Sequence, residues 1–216
     1  MNATMLEDSN LNAIILAGGE GTRLSSLARR ITGEEISKQF CQIFEGTTLL
    51  EQTRRRVSLV VPSDRTLIVL NSQHQRFYKL LLSNTAERNL VLQPRNRGTV
   101  AAIMYALFRL IQQGRKSTVA IFPCDHYVSD DQRFMLHVQV ASSVVNKFPE
   151  RLVLLGIPAD SPESQYGWIE PADPLTLTDA GPVFRIRRFW EKPSPDMAVD
   201  FLRQVFCGIV SSLWPQ

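Results

Sequence analysis

The chain has 216 residues, 44% hydrophobic and 21% charged, with a formal net charge of +3. These values suit one ordinary domain with a sizeable core, and they exclude a disordered chain and a strongly basic nucleic-acid binder. Three scattered cysteines, Cys41, Cys124 and Cys207, exclude a disulfide framework or a thiolate zinc site, and no apolar run is long enough to cross a membrane.

In chain order, residues 1–11 read as a polar, acidic leader without the pattern of a secretory signal, and a cytoplasmic home is expected. The apolar run Ala13–Leu16 predicts a short buried strand. It feeds Leu16-Ala17-Gly18-Gly19-Glu20-Gly21-Thr22-Arg23, a glycine-rich loop before a weak helical pattern over Thr22–Ile31. Glycines let backbone N–H groups approach an anion, and a helix start adds unpaired N–H groups and a positive dipole end. Arg23 adds a fixed charge with a planar fork. This is the composition of a phosphate cradle, although a plain glycine turn between strand and helix has the same letters. It is not a Walker A loop, which needs Lys after the last glycine. Nor is it a dinucleotide fingerprint, because Leu24 stands at the third glycine position.

Lys38-Gln39-Phe40 follows in a loop. Thr47–Val60 predicts an amphipathic helix with Leu49, Leu50, Thr53, Val57 and Val60 on one face, and Arg54, Arg55 and Arg56 read as a solvated basic face. Leu67–Leu70 predicts a second strand, Gln73–Ser83 a helix with His74 on the surface, and Leu90–Leu92 a third strand. The polar loop from Gln93 to Thr99 opens a strong helix. Its expected N-cap is Thr99, and its expected core stripe is Val100, Ile103, Met104, Leu107 and Ile111. Val119–Phe122 predicts a fourth strand ending in Pro123-Cys124-Asp125-His126; Gln132–Val145 is a helix and Leu152–Ile157 a fifth strand.

This alternation predicts an α/β fold, a Rossmann-like, mostly parallel sheet with helices on both faces. Ligands of such sheets gather at the strands' carboxyl ends, where the glycine loop, the Gln93 loop and Asp125 all fall. Beyond Ile157, prolines punctuate two shorter β pieces, Tyr166–Glu170 and Val183–Trp190. Glu191-Lys192-Pro193 ends the second, and Ser194-Pro195-Asp196 starts a helix to about Val205. Asp125 also suits a turn or helix cap, Glu191-Lys192 an exposed strand end, and His126 a structural role.

Six segments in order resemble the nucleotidyltransferases that make sugar nucleotides, above all their mannose-1-phosphate guanylyltransferase branch. They are Leu16–Leu24, Lys38–Phe40, Asn96–Ala102, Phe122–His126, Tyr166–Glu170 and Phe189–Pro193, within a resemblance covering residues 12 to about 206. The resemblance implies the nucleotide-diphospho-sugar transferase fold and transfer of GMP from GTP to mannose 1-phosphate, giving GDP-mannose and pyrophosphate with Mg²⁺. The attacking group is already a phosphate anion, which agrees with the absence of a Ser/His/Asp triad; the work is to align anions and stabilise developing charge. By resemblance, Arg23, Lys38, Asp125 and Lys192 are catalytic. Leu16, Ala17, Gly18, Gly19, Gly21 and Thr22 hold the nucleotide, with Gln93 and Thr99 toward its base. Gly156, Tyr166, Gly167, Glu191 and Lys192 line the sugar-phosphate pocket, and Asp125 carries the metal. The partners implied are GTP and a sugar 1-phosphate, without nucleic acid or membrane, and homo-oligomer formation stays open. Alternatives are a related enzyme using dTTP, UTP or CTP, and a non-catalytic nucleotide-binding remnant. A redox enzyme on a dinucleotide fold would need an acidic residue where Asn71 stands.

Two departures from the family pattern stand out. Ser37 precedes Lys38 where the family has proline, after a longer approach carrying Thr32-Gly33-Glu34-Glu35. After Phe206 the family's Trp-Asn-Ser strand and second metal-binding Asp are not recognisable. Residues 1–206 are therefore expected to form a truncated nucleotidyltransferase domain. Residues 207–216 are expected to be an out-of-frame tail, because one choice of codons for Cys207–Gln216, moved by one base, spells Leu-Trp-Asn-Ser-Phe.

Overall fold

Strand β1, Leu11–Leu16, lies between two hydrophobic layers and joins them. Its alternate residues point to opposite faces. Leu11, Ala13 and Ile15 enter one core cluster, while Ile14 enters the other. The protein is described from a computed structural model, covering residues 11–20, 29–30, 33–34, 36–42, 46–115, 117–178 and 181–204, and the backbone of 207–214. Gly21, Thr22, Arg23 and most of the Thr22–Ile31 segment lie outside the described residues.

Strands β2 (Thr66–Asn71), β3 (Leu90–Gln93) and β4 (Thr118–Pro123) join β1 in the order β3-β2-β1-β4, all parallel. Helices α1 (Leu49–Val57) and α3 (Asp131–Lys147) cover one face, packing Leu50, Val57, Met135 and Val138 against Ile15, Ile68 and Phe122. Helix α2 (Thr99–Gln112) covers the other. The expected parallel sheet with helices on both faces is therefore present. Each fully buried aliphatic side chain in these layers contributes about 1.5–3 kcal/mol of transfer free energy.

The helices begin where local chemistry lets them. Thr48 and Glu51 form a reciprocal capping box at α1, and Asp130 caps α3 by accepting from the Arg133 N–H. The face of α1 predicted from Leu49, Leu50, Thr53 and Val57 is buried. The basic face is not uniformly solvated. Arg56 is 3% exposed, and its Nε lies 2.6 Å from Asp131 Oδ1. Arg54 is half-buried and donates to the Leu81 carbonyl and Thr85 Oγ1, and burial pulls its pKa below the ordinary value despite nearby Glu51. Helix α2 also differs from expectation. Its N-cap is Gly98, at φ +85°, with Thr99 as the first helical residue, and its buried positions are Ala102, Ala106 and Leu110. Small alanines let the helix sit close to the sheet. Ile103 and Leu107 flank that line, and Val100, Met104 and Ile111 turn outward. The helix predicted over Gln73–Ser83 shrinks to a 3-10 turn, Ser72–His74, and one α turn, Gln75–Tyr78.

Past α3, strand β5 spans Val153–Pro158, and β6 (Gly167–Thr178) and β7 (Gly181–Glu191) make an antiparallel hairpin longer than the two predicted pieces. Pro171 and Pro174 sit at its bulges, where a missing N–H is tolerated. Helix α4, Pro195–Arg203, is capped by Ser194 and packs Ala198 and Phe201 on Trp168. The backbone of β8, Cys207–Trp214, runs antiparallel to β4, β5 and β6.

Strand β8 uses both edges. β5 pairs along Cys207–Leu213 on one edge. The other edge carries β4 over Ser212–Trp214 and β6 over Cys207–Gly208. The registers run so that the carboxyl end of β4 and the amino end of β6 approach each other along that edge.

Candidate functional site at the strand carboxyl ends

The loop after β1 is fastened from below and from the side. The Ala17 N–H donates to the Val69 carbonyl at 2.8 Å, and the Cys124 N–H donates to the Leu16 carbonyl at 3.4 Å. The loops after β1 and β4 are thus tied together. Gly18 is buried against β2 and β3. A Cβ there would stand 3.2 Å from Gln93 Oε1 and 3.7 Å from the Asn71 nitrogen, so the residue must be small. Gly19 is open, and among the described residues no atom would meet its Cβ within 4 Å.

Lys38–Phe40 forms a single 3-10 turn beside this loop. Gln39 is 3% exposed, and its side-chain amide donates to the Ala17 carbonyl at 3.0 Å and the Gly19 carbonyl at 2.7 Å. Turning those carbonyls toward Gln39 commits the loop to one backbone arrangement. In the sequence Gln39 stands out only as the middle residue of Lys38-Gln39-Phe40. The signal available was an amide beside a glycine loop with two carbonyls to satisfy. Lys38 Nζ lies 2.5 Å from Asp125 Oδ2, with both side chains partly exposed. His126 Nε2 stands 3.7 Å from Asp125 Oδ1. Asp125 stands in the turn that follows β4, partly exposed, and is the acidic half of an ion pair. Cys124 is fully buried, and desolvation together with the Asp125 carboxylate pushes its thiol far above the ordinary range, so it is inert.

Gln93 closes the floor at 5% exposure. With Pro94, Arg95, Arg97, Ala101 and Tyr105 it lines a cavity of about 310 Å³. The Ser72 hydroxyl donates to the Pro94 carbonyl, and Asn96 Oδ1 accepts from the Gly98 N–H, so the loop between β3 and α2 is held in shape. Thr99 is exposed at the first turn of α2, next to that cavity. Asn71, fully buried at the end of β2, has an Nδ2 with no hydrogen-bond partner among the described residues. A larger cleft of about 530 Å³ lies between α1 and residues 84–89. None of the strand-end residues lines it, and it is not this site.

The residues expected to line the sugar-phosphate pocket assemble separately. Gly167 pairs with Glu191 across the β6–β7 hairpin, and a Cβ on Gly167 would stand 2.4 Å from the Phe189 ring. The Lys192 N–H donates to the Tyr166 carbonyl at 3.3 Å, and Lys192 Nζ lies 3.2 Å from Glu191 Oε1. Lys192 has φ +47°, the one described non-glycine residue in the left-handed region. Such a residue costs about 1–2 kcal/mol and persists where the surroundings impose it. The shared edge of β8 brings this group toward the end of β4 and therefore toward Asp125. Gly156 is not in the cluster. It pairs with Ile209 on the opposite edge of β8, about two strand spacings (roughly 10 Å) from Gly167.

The four parallel strands thus carry, at their carboxyl ends, a glycine loop, a lysine–aspartate pair and a cavity lined by Gln93, Arg95 and Arg97, the place where ligands of such sheets gather. Residues 12–207 match the family described as Nucleotidyl transferase, and the chain belongs to it. The alginate biosynthesis protein AlgA of Pseudomonas aeruginosa is 32% identical over 191 residues, covering 88% of this chain and 38% of that protein. Mannose-1-phosphate guanylyltransferase of Klebsiella pneumoniae is 28% identical over 191 residues, covering 88% and 39%. A crystal structure described as mannose-1-phosphate geranyltransferase from Thermus thermophilus superposes with a TM-score of 0.79 at 27% identity, covering 95% of this chain and 57% of that one. The chain thus spans less than half the length of these curated relatives. The nucleotide-diphospho-sugar transferase fold expected from the sequence is the one observed. Among the described residues no helix is long and apolar enough to cross a membrane.

Proposed function

We propose that the protein transfers a nucleotidyl group from a nucleoside triphosphate to a sugar 1-phosphate, with GTP and mannose 1-phosphate as the pair. A phosphate oxygen of the sugar phosphate forms a bond to the α-phosphorus, the bond from that phosphorus to the bridging oxygen breaks, and pyrophosphate leaves with the electron pair. No proton has to be removed from the nucleophile. The observation that carries this reading is the Lys38–Asp125 pair, 2.5 Å apart, beside a glycine loop whose carbonyls are held by Gln39.

In this reading the backbone from Leu16 to Gly21 and the Thr22 N–H receive the triphosphate, while Arg23 and Lys38 neutralise it. Gln93 and Thr99 border the base, and Tyr166, Gly167, Glu191 and Lys192 receive the sugar phosphate, with Lys192 as its counter-charge and Gly156 more remote. GTP and mannose 1-phosphate are chosen over other pairs because four proteins named mannose-1-phosphate guanylyltransferase are among the relatives.

Asp125 fits a magnesium ion that arrives with phosphate. Among the described residues there is no group of three or more His, Cys, Asp or Glu that forms a protein cage. Mg²⁺ is commonly held by one or two carboxylates plus substrate phosphates and water. Asp125 would hold it, and the ion would offset negative charge on the phosphates. A cytoplasmic enzyme acting on soluble substrates is part of the same proposal.

The test is pyrophosphate release from the purified chain with GTP, UTP, dTTP and CTP against several sugar 1-phosphates, with Asp125→Asn as control. Preference for another nucleotide moves the reading to a neighbouring enzyme. GTP binding by calorimetry without turnover supports a binding remnant, and no nucleotide binding at all overturns the proposal. The reading also keeps residues 207–216 as a displaced-frame tail, although their backbone pairs as β8. Sequencing the gene decides this, and absence of a family-like frame downstream removes the idea.

A further inference from the structure

We propose that His74 is a positioning residue for Lys38, acting through Ser37; this deepens the transferase reading and rests on Lys38 being part of its site. The Lys38–Phe40 turn has little to hold it from within. Its N-cap, Ser37, makes no side-chain capping bond, and the turn is closed by backbone bonds from the Phe40 N–H to the Ser37 carbonyl and from the Cys41 N–H to the Lys38 carbonyl. Its placement therefore comes from outside. Gln39 fixes the middle of the turn to the glycine loop. His74 touches both ends. Its Nε2 lies 3.3 Å from Ser37 Oγ, and its ring meets the Phe40 ring edge-on, 5.8 Å between centroids at 77°. Ser37 and Phe40 are both buried, so water does not compete well for these contacts.

The histidine was expected on the surface; it is half-buried and firmly mounted. It ends the 3-10 turn Ser72–His74, whose N-cap Asn71 accepts from the Gln73 N–H directly after β2. The contact from His74 to Ser37 thus links the end of β2 to the residue before Lys38. The tautomer follows from what each nitrogen meets. Nδ1 is buried with no hydrogen-bond partner among the described residues. A proton on Nδ1 would be an orphaned donor, whereas a bare Nδ1 is an orphaned acceptor and costs less. The neutral ring with its proton on Nε2, donating to Ser37 Oγ, is the arrangement that fits. Packing alone does not ask for imidazole here: an apolar ring would fill the same space on Phe40 and leave no orphaned nitrogen. The polar atom is explained by the serine it reaches. Ser37 has φ −66°, the angle a proline ring would fix, so the backbone at this position can be stiffened by another route.

The experiment compares His74→Leu, which keeps apolar bulk and loses the donor, with His74→Gln, which restores a donor near Nε2. Two readouts need no substrate: the rate at which Lys38 is acetylated by a limiting reagent, followed by mass spectrometry, and amide exchange at Phe40 and Cys41. Loss of one neutral hydrogen bond predicts about a fivefold rise in both for His74→Leu. His74→Gln should restore near-wild-type values, as should Ser37→Pro in the His74→Leu background. In turnover, His74→Leu should lower kcat more than it raises the KM for sugar phosphate, and the same two changes should recover it. Unchanged Lys38 acetylation and exchange in a folded His74→Leu protein overturn the proposal. So does a rise that neither His74→Gln nor Ser37→Pro reverses. A wild-type chain that turns over no nucleotide would defeat the transferase reading while the acetylation and exchange results still decide the role of His74.

Discussion

Replacing Gln39 tests how the glycine loop is held. Its side-chain amide satisfies two carbonyls, Ala17 at 3.0 Å and Gly19 at 2.7 Å, from a site 3% exposed. The two acceptors are not equal. Ala17 is 0% exposed, so its carbonyl has no easy replacement, whereas Gly19 is open and water can substitute. Gln39→Leu keeps the bulk and removes both donors. The expected cost is about 1–3 kcal/mol for the stranded Ala17 carbonyl and under about 1 kcal/mol for Gly19. The middle of that range is roughly 2–3 kcal/mol, or a fall in Tm of about 4–12 °C for a domain of this size. Where the loop loses its arrangement without global unfolding, the same free energy appears in nucleotide affinity instead, as a weakening of about 30- to 150-fold. Gln39→Glu should be worse than Gln39→Leu above pH 6, because a carboxylate would face two carbonyl oxygens. Thermal unfolding and calorimetric titration with GTP measure the two terms. A Gln39→Leu protein with unchanged Tm and unchanged GTP affinity would refute the claim that this amide sets the loop.

Arg56 and Asp131 predict an asymmetry. Asp131→Leu strands a guanidinium that is 3% exposed, whereas Arg56→Met leaves a carboxylate 34% exposed to water, so the first should lower Tm more than the second. Lys192→Gly should raise Tm by about 2 °C by relieving the left-handed backbone, while weakening sugar-phosphate binding; a fall in Tm would refute the strain. Burial pushes the His74 pKa down, with Glu20 opposing. Below about pH 6.5 the unfolded chain therefore binds the extra proton more readily, so this contribution to stability is full above that pH and fades as pH falls. The acid-side decline in Tm should be shallower for His74→Gln than for wild type. Ser212→Pro breaks a backbone paired with both Ile121 and Leu154 and should cost about 3 kcal/mol or more in thermal unfolding. An unchanged Tm would mean that β8 does not join β4 to β5.

The parallel sheet was legible because its strands are short apolar runs, Ala13–Leu16 and Val119–Phe122 among them, ended by glycine or proline. The position of Asp125 was legible for the same reason, since a residue just past such a run sits at the strand's carboxyl end. What the sequence could not rank were competing faces of one helix. In α2 the Val100-Met104-Ile111 and Ala102-Ala106-Leu110 lines are both apolar, and the sheet selected the one that permits closer approach. Nor could it foresee partners supplied from far along the chain. Arg56 looked solvated until Asp131 reached it, and His74 looked exposed until Ser37 and Phe40 packed on it. Hydrophobic periodicity reports which side of an element faces inward; it carries no information about a charge or amide satisfied by a residue 20 to 75 positions away.

The arrangement of charge at the strand ends has a consequence for order of events. Lys38 and Asp125 neutralise each other before any substrate is present, and so do Lys192 and Glu191. A phosphate approaching Lys38 has to compete with a carboxylate already 2.5 Å away, so an isolated anion gains little there. A triphosphate accompanied by a divalent cation meets a different balance: the cation can take Asp125 while the phosphate takes Lys38, and neither charge is left unpaired. The Lys192–Glu191 pair is more exposed, so water already screens it, while the left-handed backbone holds the Lys192 N–H on the Tyr166 carbonyl. In the proposed transferase reading, the nucleotide side then depends on exchange of ion-pair partners and the sugar side on an already screened pair with a preset backbone. That reading predicts nucleotide with metal binding before sugar phosphate, an order that product-inhibition patterns test.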